Sequence, residues 1–232
     1  MLDPSRDVAA RGRRPARTSG DDRELAILAT AEHLLAEQPL SAVSVDDLAR
    51  GAGISRPTFY FYFASKDAVL LTLLDRVVAE ADAAMSAAET AMDEVAAGPE
   101  DVPRDPWRRA ISAYYDTFRE HRGLTLAWAE ARSTNREVRD LWATVFEGWV
   151  QRSAAAIDAE RARGAAPPGI PARDLAVALN SMNERVLYAT LGGDGPAVAE
   201  TDVVGVLLEI WLRSIYGTSS PGSTRADAAP AD

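Results

Sequence analysis

The chain has no cysteine and only two histidines, His33 and His121. That excludes disulfides, thiolate nucleophiles and cysteine-bound zinc, and it leaves too few imidazoles for a transition-metal or histidine-base centre. No run approaches the ~20 apolar residues of a bilayer span, and the arginine-rich start lacks the apolar stretch of a secretory signal. The expected location is the cytoplasm, with no membrane partner. Apolar alternation is missing over any useful length, so nothing argues for strands. What is present, 47% hydrophobic and 26% charged residues among 232, suits a globular protein of one large domain or a small one joined to a medium one.

Negative charge dominates, with a net charge of −10, but it is unevenly spread. Residues 1–66 carry nine basic and nine acidic groups, whereas the remaining 166 carry 16 and 26. Residues 8–20 hold four arginines and no acid. One end therefore tolerates a polyanion and the other repels it, unless the imbalance is ordinary solubility charge.

Helical periodicity accounts for most of the chain, and the expected fold is all-α with about nine helices. Residues 1–20 have no periodicity and read as a flexible basic arm. Ser19-Gly20 with Asp21 and Asp22 opens a first helix whose face is Leu25, Ile27, Leu28, Ala31, Leu34 and Leu35. After the Gln38-Pro39 break, Ser44 caps a short second helix over 44–50. Gly51 and Gly53 form a turn, and Ser55 caps a third helix to Phe63, with Pro57 in its first turn. A fourth helix runs from Ser65-Lys66 toward Ala88. A connection over 96–106 is marked by Gly98, Pro99, Pro103 and Pro106, and helices follow at about 107–120, 124–132, 135–163, 172–191 and 202–216. Residues 218–232 have almost no apolar bulk and read as a disordered tail.

Two short helices about a glycine turn are the plan of a helix-turn-helix, whose second helix enters the major groove. The second helix here reads Ser-Arg-Pro-Thr-Phe-Tyr-Phe-Tyr-Phe from Ser55. Two tyrosine hydroxyls and an arginine suit water poorly hidden, and three phenylalanines suit water poorly shown, so both faces must be used. Phe59, Tyr62 and Phe63 suit a small core, while Arg56, Pro57, Thr58, Tyr60 and Phe61 point outward as a surface for sugars, thymine methyls and phosphates.

Val45-Asp46-Asp47-Leu48-Ala49, Gly51-Ala52-Gly53-Ile54-Ser55, Thr58-Phe59-Tyr60, Tyr62-Phe63 and Ser65-Lys66-Asp67-Ala68-Val69-Leu70 together resemble the DNA-binding domain of the TetR family of repressors. The resemblance implies an operator-binding homodimer with a helix-turn-helix domain over 21–66 and a ligand-binding and dimerisation domain over 67–217. It implies double-stranded DNA contacts at Ser44, Ser55, Arg56, Pro57, Thr58, Tyr60, Phe61 and Tyr62, with Lys66 meeting a phosphate. The arginine arm is either a further DNA contact or merely disordered.

All five tryptophans, Trp107, Trp128, Trp142, Trp149 and Trp211, follow residue 106. Trp142, Phe146 and Trp149 make one helical stripe and Trp107, Ile111, Tyr114 and Phe118 another. Such stripes are core, or the walls of an apolar site; the polar Asn180, Asn183 and Glu184 on one face of the eighth helix favour a small-molecule site. Likeness extends through Arg11–Arg14, Asp158–Arg161, Ser181–Arg185 and Ser214–Gly217 to one group of the family. That likeness implies a hydrophobic tunnel for a small-molecule effector, lined by these stripes with Thr125, Asn180, Asn183, Glu184, Tyr188 and Trp211, and control of a flavin monooxygenase gene. The eighth and ninth helices are expected to pair between subunits, with Val204, Leu207, Leu208, Trp211 and Ile215 as the apolar stripe. No cofactor and no catalysis are expected. Two other readings stay open: a helical enzyme using Glu184 with His121 or Asp202, and a lipid carrier with a vestigial DNA head.

Overall fold

The computed structural model describes residues 20–93, 104–193 and 195–217. The expected arm over 1–19, its Ser19 cap, most of the 96–106 connection and the tail after 217 lie outside the described residues. Within them the chain forms nine α-helices and no strand: α1 Gly20–Glu37, α2 Val45–Gly51, α3 Arg56–Tyr62, α4 Lys66–Asp93, α5 Arg104–Glu120, α6 Arg122–Thr134, α7 Arg136–Ala162, α8 Ala172–Gly192 and α9 Val203–Tyr216.

The head is α1 to α3 with the start of α4. Reciprocal hydrogen bonds cap α2: the Asp47 amide donates to Ser44 Oγ at 3.2 Å and the Ser44 amide to Asp47 Oδ2 at 3.1 Å. The Ser44 hydroxyl, donating to Asp47 Oδ2 at 2.5 Å, and then the Ser44 amide hold the Asp47 carboxyl below its ordinary value. Gly53, at φ +66°, supplies the left-handed residue of the turn, and Ser55 Oγ accepts from the Thr58 amide to start α3. Ile27, Leu28 and Ala31 of α1, Leu48 and Ala49 of α2, and Phe59 and Phe63 form the buried centre of the head. Leu25, expected on that face, is 51% exposed, because the buried set follows Ile27, Leu28, Ala31 and Leu35 and residue 25 falls about a third of a turn away.

Two boundaries differ from expectation. Pro39 is followed by a single 3-10 turn, Leu40–Ala42. Pro106, expected in the connection, lies in the first turn of α5, where its missing N–H removes no helical bond.

Head and body share one core through α4, whose Val69, Leu70, Leu73, Leu74, Val77 and Ala81 are all buried. The body packs α5 and α6 against α4, α8 against α7, and α9 against α5. The second joint is α6, which meets both α1 and α4. It approaches α1 so closely that a Cβ on Gly123 would lie 2.2 Å from the Leu35 carbonyl oxygen. The Ser41 amide donates to Glu130 at 3.1 Å, and Trp128 Nε1 to the Leu70 carbonyl at 3.3 Å. No helix among the described residues is long and apolar enough to cross a membrane.

Candidate nucleic-acid interface and internal cavity

Helix α3 divides its side chains as the spacing predicts. Phe59 and Phe63 are buried and Tyr62 is half-buried, while Ser55, Arg56, Pro57, Tyr60 and Phe61 are exposed and Thr58 is half-exposed beside Ser55. Tyr60 and Phe61 are 47% and 84% exposed, although nothing in the head needs them outside for its own packing. Arg56 bridges the two helices of the motif: Nη1 donates to Asp46 Oδ2 at 2.9 Å, Nη2 to Tyr60 Oη at 3.3 Å, and the guanidinium lies 5.8 Å from the Tyr60 ring centre.

Lys66, for which the family resemblance implies a phosphate contact, is engaged within the head. Its ammonium donates to the Leu40 and Val43 carbonyls at 2.8 and 3.0 Å. It therefore ties α4 to the 3-10 turn, and at most one N–H is left for an outside partner. Ser44 is exposed, but its hydroxyl serves the α2 cap.

The body holds a cavity of about 70 Å³. Of the expected tunnel residues, Trp107, Ile111, Tyr114, Trp149, Asn180, Asn183 and Trp211 line it. Met85, Ala110, Arg152, Ser153 and Ala156 join them, none of which the aromatic stripes or the polar face of α8 mark. Ser153 and Ala156 continue the Trp142–Trp149 stripe at the next helical intervals, so extending the period would have found them. Arg152 is masked by its charge, and Met85 continues the α4 stripe four residues beyond Ala81, where the period marks it as core but not as a cavity wall.

Polar groups of the lining are mostly engaged with one another. Trp211 Nε1 donates to Asn183 Oδ1 at 3.0 Å. Asn180 Nδ2 donates to Ser153 Oγ and to the Ala176 carbonyl at 3.1 and 2.8 Å. Asp82 accepts from Trp149 Nε1 at 3.1 Å and pairs with Arg152 at 3.4 Å. Trp107 Nε1 donates to Tyr216 Oη at 2.8 Å, and Tyr216 in turn to Glu160 Oε2 at 2.6 Å, beside Arg163. Burial pushes the Tyr114 phenol well above its ordinary value, so it faces the cavity uncharged.

The remaining expected residues do not reach this cavity. Trp142, Phe146 and Glu184 border a separate open cleft with Arg132 and Arg139. Phe118 is fully buried in a knot of edge-to-face rings, 5.7 Å from Trp149, 6.0 Å from Trp142 and 6.2 Å from Trp128, and this knot stands between cavity and cleft. Thr125 is fully buried, its hydroxyl on the Phe118 carbonyl at 2.8 Å, so Thr125→Trp would overpack this joint and leave the cavity unfilled. Tyr188 lies under the Arg132 guanidinium, 5.3 Å away. Glu184 pairs with Arg132 and accepts from Trp142 Nε1 at 3.0 Å, which makes it a structural partner of these side chains.

The expected α9 stripe is also used within the chain: Leu207, Leu208, Trp211 and Ile215 are buried and Val204 half-buried. Its heptad-like spacing marks the core, and the outward face of α9 carries Val206 and Ile210 instead, with Val177 outward on α8. Of the residues of the enzyme reading, Glu184 is held by Arg132 and Trp142, His121 meets Glu80 at 3.2 Å, and Asp202 is exposed and accepts from Thr201 at 3.3 Å. Among the described residues no group of three or more metal-binding side chains is assembled.

Residues 27–73 match the family of bacterial regulatory proteins of the tetR type, and residues 107–217 match the C-terminal domain of the transcriptional regulator EthR. The chain is 56% identical to the HTH-type transcriptional regulator EthR of Mycobacterium tuberculosis, over 89% of this chain and 93% of that one. It is 48% identical to EthR of Mycolicibacterium smegmatis over 96% of this chain and all of the other. Among solved structures, the regulator FadR of Bacillus subtilis in complex with stearoyl-CoA shares the fold, with a TM-score of 0.62 at 17% identity, covering 84% of this chain and 99% of that one. A short helix showing its aromatic side beyond a capped glycine turn, joined through α4 to a helical body with an internal cavity, is thus accompanied by sequence identity over both halves, and the chain belongs to the TetR family of transcriptional regulators, as an EthR-like member.

Proposed function

We propose that the protein is a repressor that binds double-stranded operator DNA as a homodimer and releases it when a hydrophobic small molecule enters the body. The observation that carries the DNA reading is α3, anchored from behind by Phe59 and Phe63 while Ser55, Arg56, Pro57, Tyr60 and Phe61 stand outside. Ser44, Thr58, Tyr62 and Lys66 support that helix more than they extend its surface. Two such heads fit successive major-groove faces about 34–36 Å apart, so the spacing of the heads is what a ligand must change.

Dimerisation is assigned to the outward faces of α8 and α9. Val177, Val206 and Ile210 are exposed there beside the small Ala178, Ser181 and Gly205, which allow close helix approach. The effector is assigned to the α4–α5–α7–α8–α9 cavity. At about 70 Å³ it is far below the roughly 300–1,000 Å³ of a drug-sized site, so an occupant has to spread these helices. Thr125 joins α6 to the end of α5, and Gly123 sets α6 against α1; displacement of α5 therefore reaches the head. The stearoyl-CoA bound to FadR supports an effector with a long apolar part. Moving the population from 1:99 to 99:1 requires about 5.5 kcal/mol of preference for the released state. The controlled gene, by the family resemblance, encodes a flavin monooxygenase.

The test is a gel shift on the DNA upstream of the protein's own gene at low salt. Wild-type protein is expected to retard it, and Tyr60→Ala to weaken binding at least about tenfold, roughly 1.4 kcal/mol, with the dimer intact by sedimentation. No retardation by the wild-type dimer overturns the repressor reading and favours a carrier.

A further inference from the structure

We infer that the head reads its operator chiefly through thymine C5-methyl groups, with Phe61 as the specificity-determining side chain. This inference rests on the operator-binding reading and goes further, to the chemistry of base recognition.

The argument begins with what α3 does not offer. Strong hydrogen-bond readout in the major groove uses arginine or lysine on guanine, asparagine or glutamine on adenine, and a carboxylate on cytosine. The outward set of α3, Ser55, Arg56, Pro57, Tyr60 and Phe61, contains no amide, no acid and one cation. That cation is held by Asp46 at 2.9 Å and lies against Tyr60. Turning it to a guanine would leave the Asp46 carboxylate uncompensated beside the phosphates. The Ser55 hydroxyl is engaged by the Thr58 amide and hydroxyl at 3.3 and 2.8 Å.

The Tyr60 and Thr58 hydroxyls are engaged by Arg56 and Ser55 at 3.3 and 2.8 Å, which leaves Pro57 and Phe61 as the outward side chains with no partner to give up. Phe61 is 84% exposed, and the ring contact it makes is an edge on Tyr62 at 5.3 Å. The fold gains almost nothing by placing a phenylalanine there, whereas a methyl group in the groove would cover it. Thymine is the base that presents one, and apolar side chains are its natural partners. Arg56 and Tyr60 flank this contact as backbone-facing groups, and they set register without choosing sequence.

The test uses the full chain and a duplex that it enriches from a random-sequence pool. Each thymine of a half-site is replaced in turn by deoxyuridine, which removes the methyl and keeps the pairing. For wild-type protein, one or two replacements per half-site are expected to weaken binding about three- to five-fold each, the value of one buried methyl. Phe61→Ala, at a site too exposed to affect folding, should bind the thymine duplex about as weakly and ignore those same replacements. Equal wild-type affinity for thymine and deoxyuridine duplexes overturns methyl readout while the operator-binding reading stands. A Phe61→Ala variant that stays sensitive to the replacements overturns the assignment to Phe61. If the pool yields no enriched duplex and no retarded complex, the operator-binding reading itself fails.

Discussion

In the head, Tyr60 and Phe61 are 47% and 84% exposed; in the body, none of the five tryptophans is more than 6% exposed. Both regions carry aromatic stripes on helices, yet one displays its rings and the other packs them inside, some around an internal space. The difference lies in what stands behind each stripe. Helix α3 is seven residues long and has one neighbouring layer, so only one face can be covered and the rest must meet solvent or a partner. Helix α7, with 27 residues, has neighbours on several sides, and its indoles are large enough to hold those neighbours apart. A surface and a container thus arise from the same residue class.

The largest test of this contrast is Phe59→Ala, which removes the ring anchoring the display helix. About 3–5 kcal/mol should be lost. Because tryptophan is confined to the body, its fluorescence reports body unfolding alone. Its urea midpoint is expected to fall with that of the helical circular dichroism, since α4 makes one core of both regions. An unchanged fluorescence midpoint would show that surface and container unfold independently.

A smaller effect is expected at the joint. Gly123→Ala puts a methyl against the Leu35 carbonyl and must push α6 from α1, at about 1–3 kcal/mol of stability. Operator affinity should fall while tryptophan emission from the cavity walls stays as in the wild type. Unchanged affinity would mean that head position does not depend on this contact.

The smallest effect tests the container as a switch. Ala156→Trp places an indole in the cavity as a fixed occupant and should lower DNA affinity about tenfold, or ~1.4 kcal/mol, with the dimer retained. Full DNA binding by a folded dimer that carries this substitution would sever cavity from head.

Much of the site was legible because local rules carry it. The glycine turn, the Ser44 and Ser55 caps and the split of α3 into Phe59 and Phe63 inside and Tyr60 and Phe61 outside all follow from nearest-neighbour spacing and solvation. Trp107, Ile111, Tyr114 and Trp149 were readable as facing stripes for the same reason. Spacing is silent where a side chain has a choice of distant partners. Lys66 turned to the Leu40 and Val43 carbonyls, Glu184 to Arg132 and Trp142, and Thr125 to the Phe118 carbonyl, and none of these partners is marked in the sequence. The α9 stripe has the period of an interface and of a core alike, and only its burial against α5 and α8 separates the two.

Sequence alone determined that this chain is helical, where its recognition helix begins and which of that helix's rings face outward, because helix periodicity and capping act over three or four residues. The tertiary structure decided that the expected lining residues divide between an inner cavity and an outer cleft, with the Phe118 ring knot between them, and that the head is seated on α6 at Gly123. Those outcomes depend on which helices meet and how closely, and such distances are settled by volume and by carbonyl partners brought together from far along the chain.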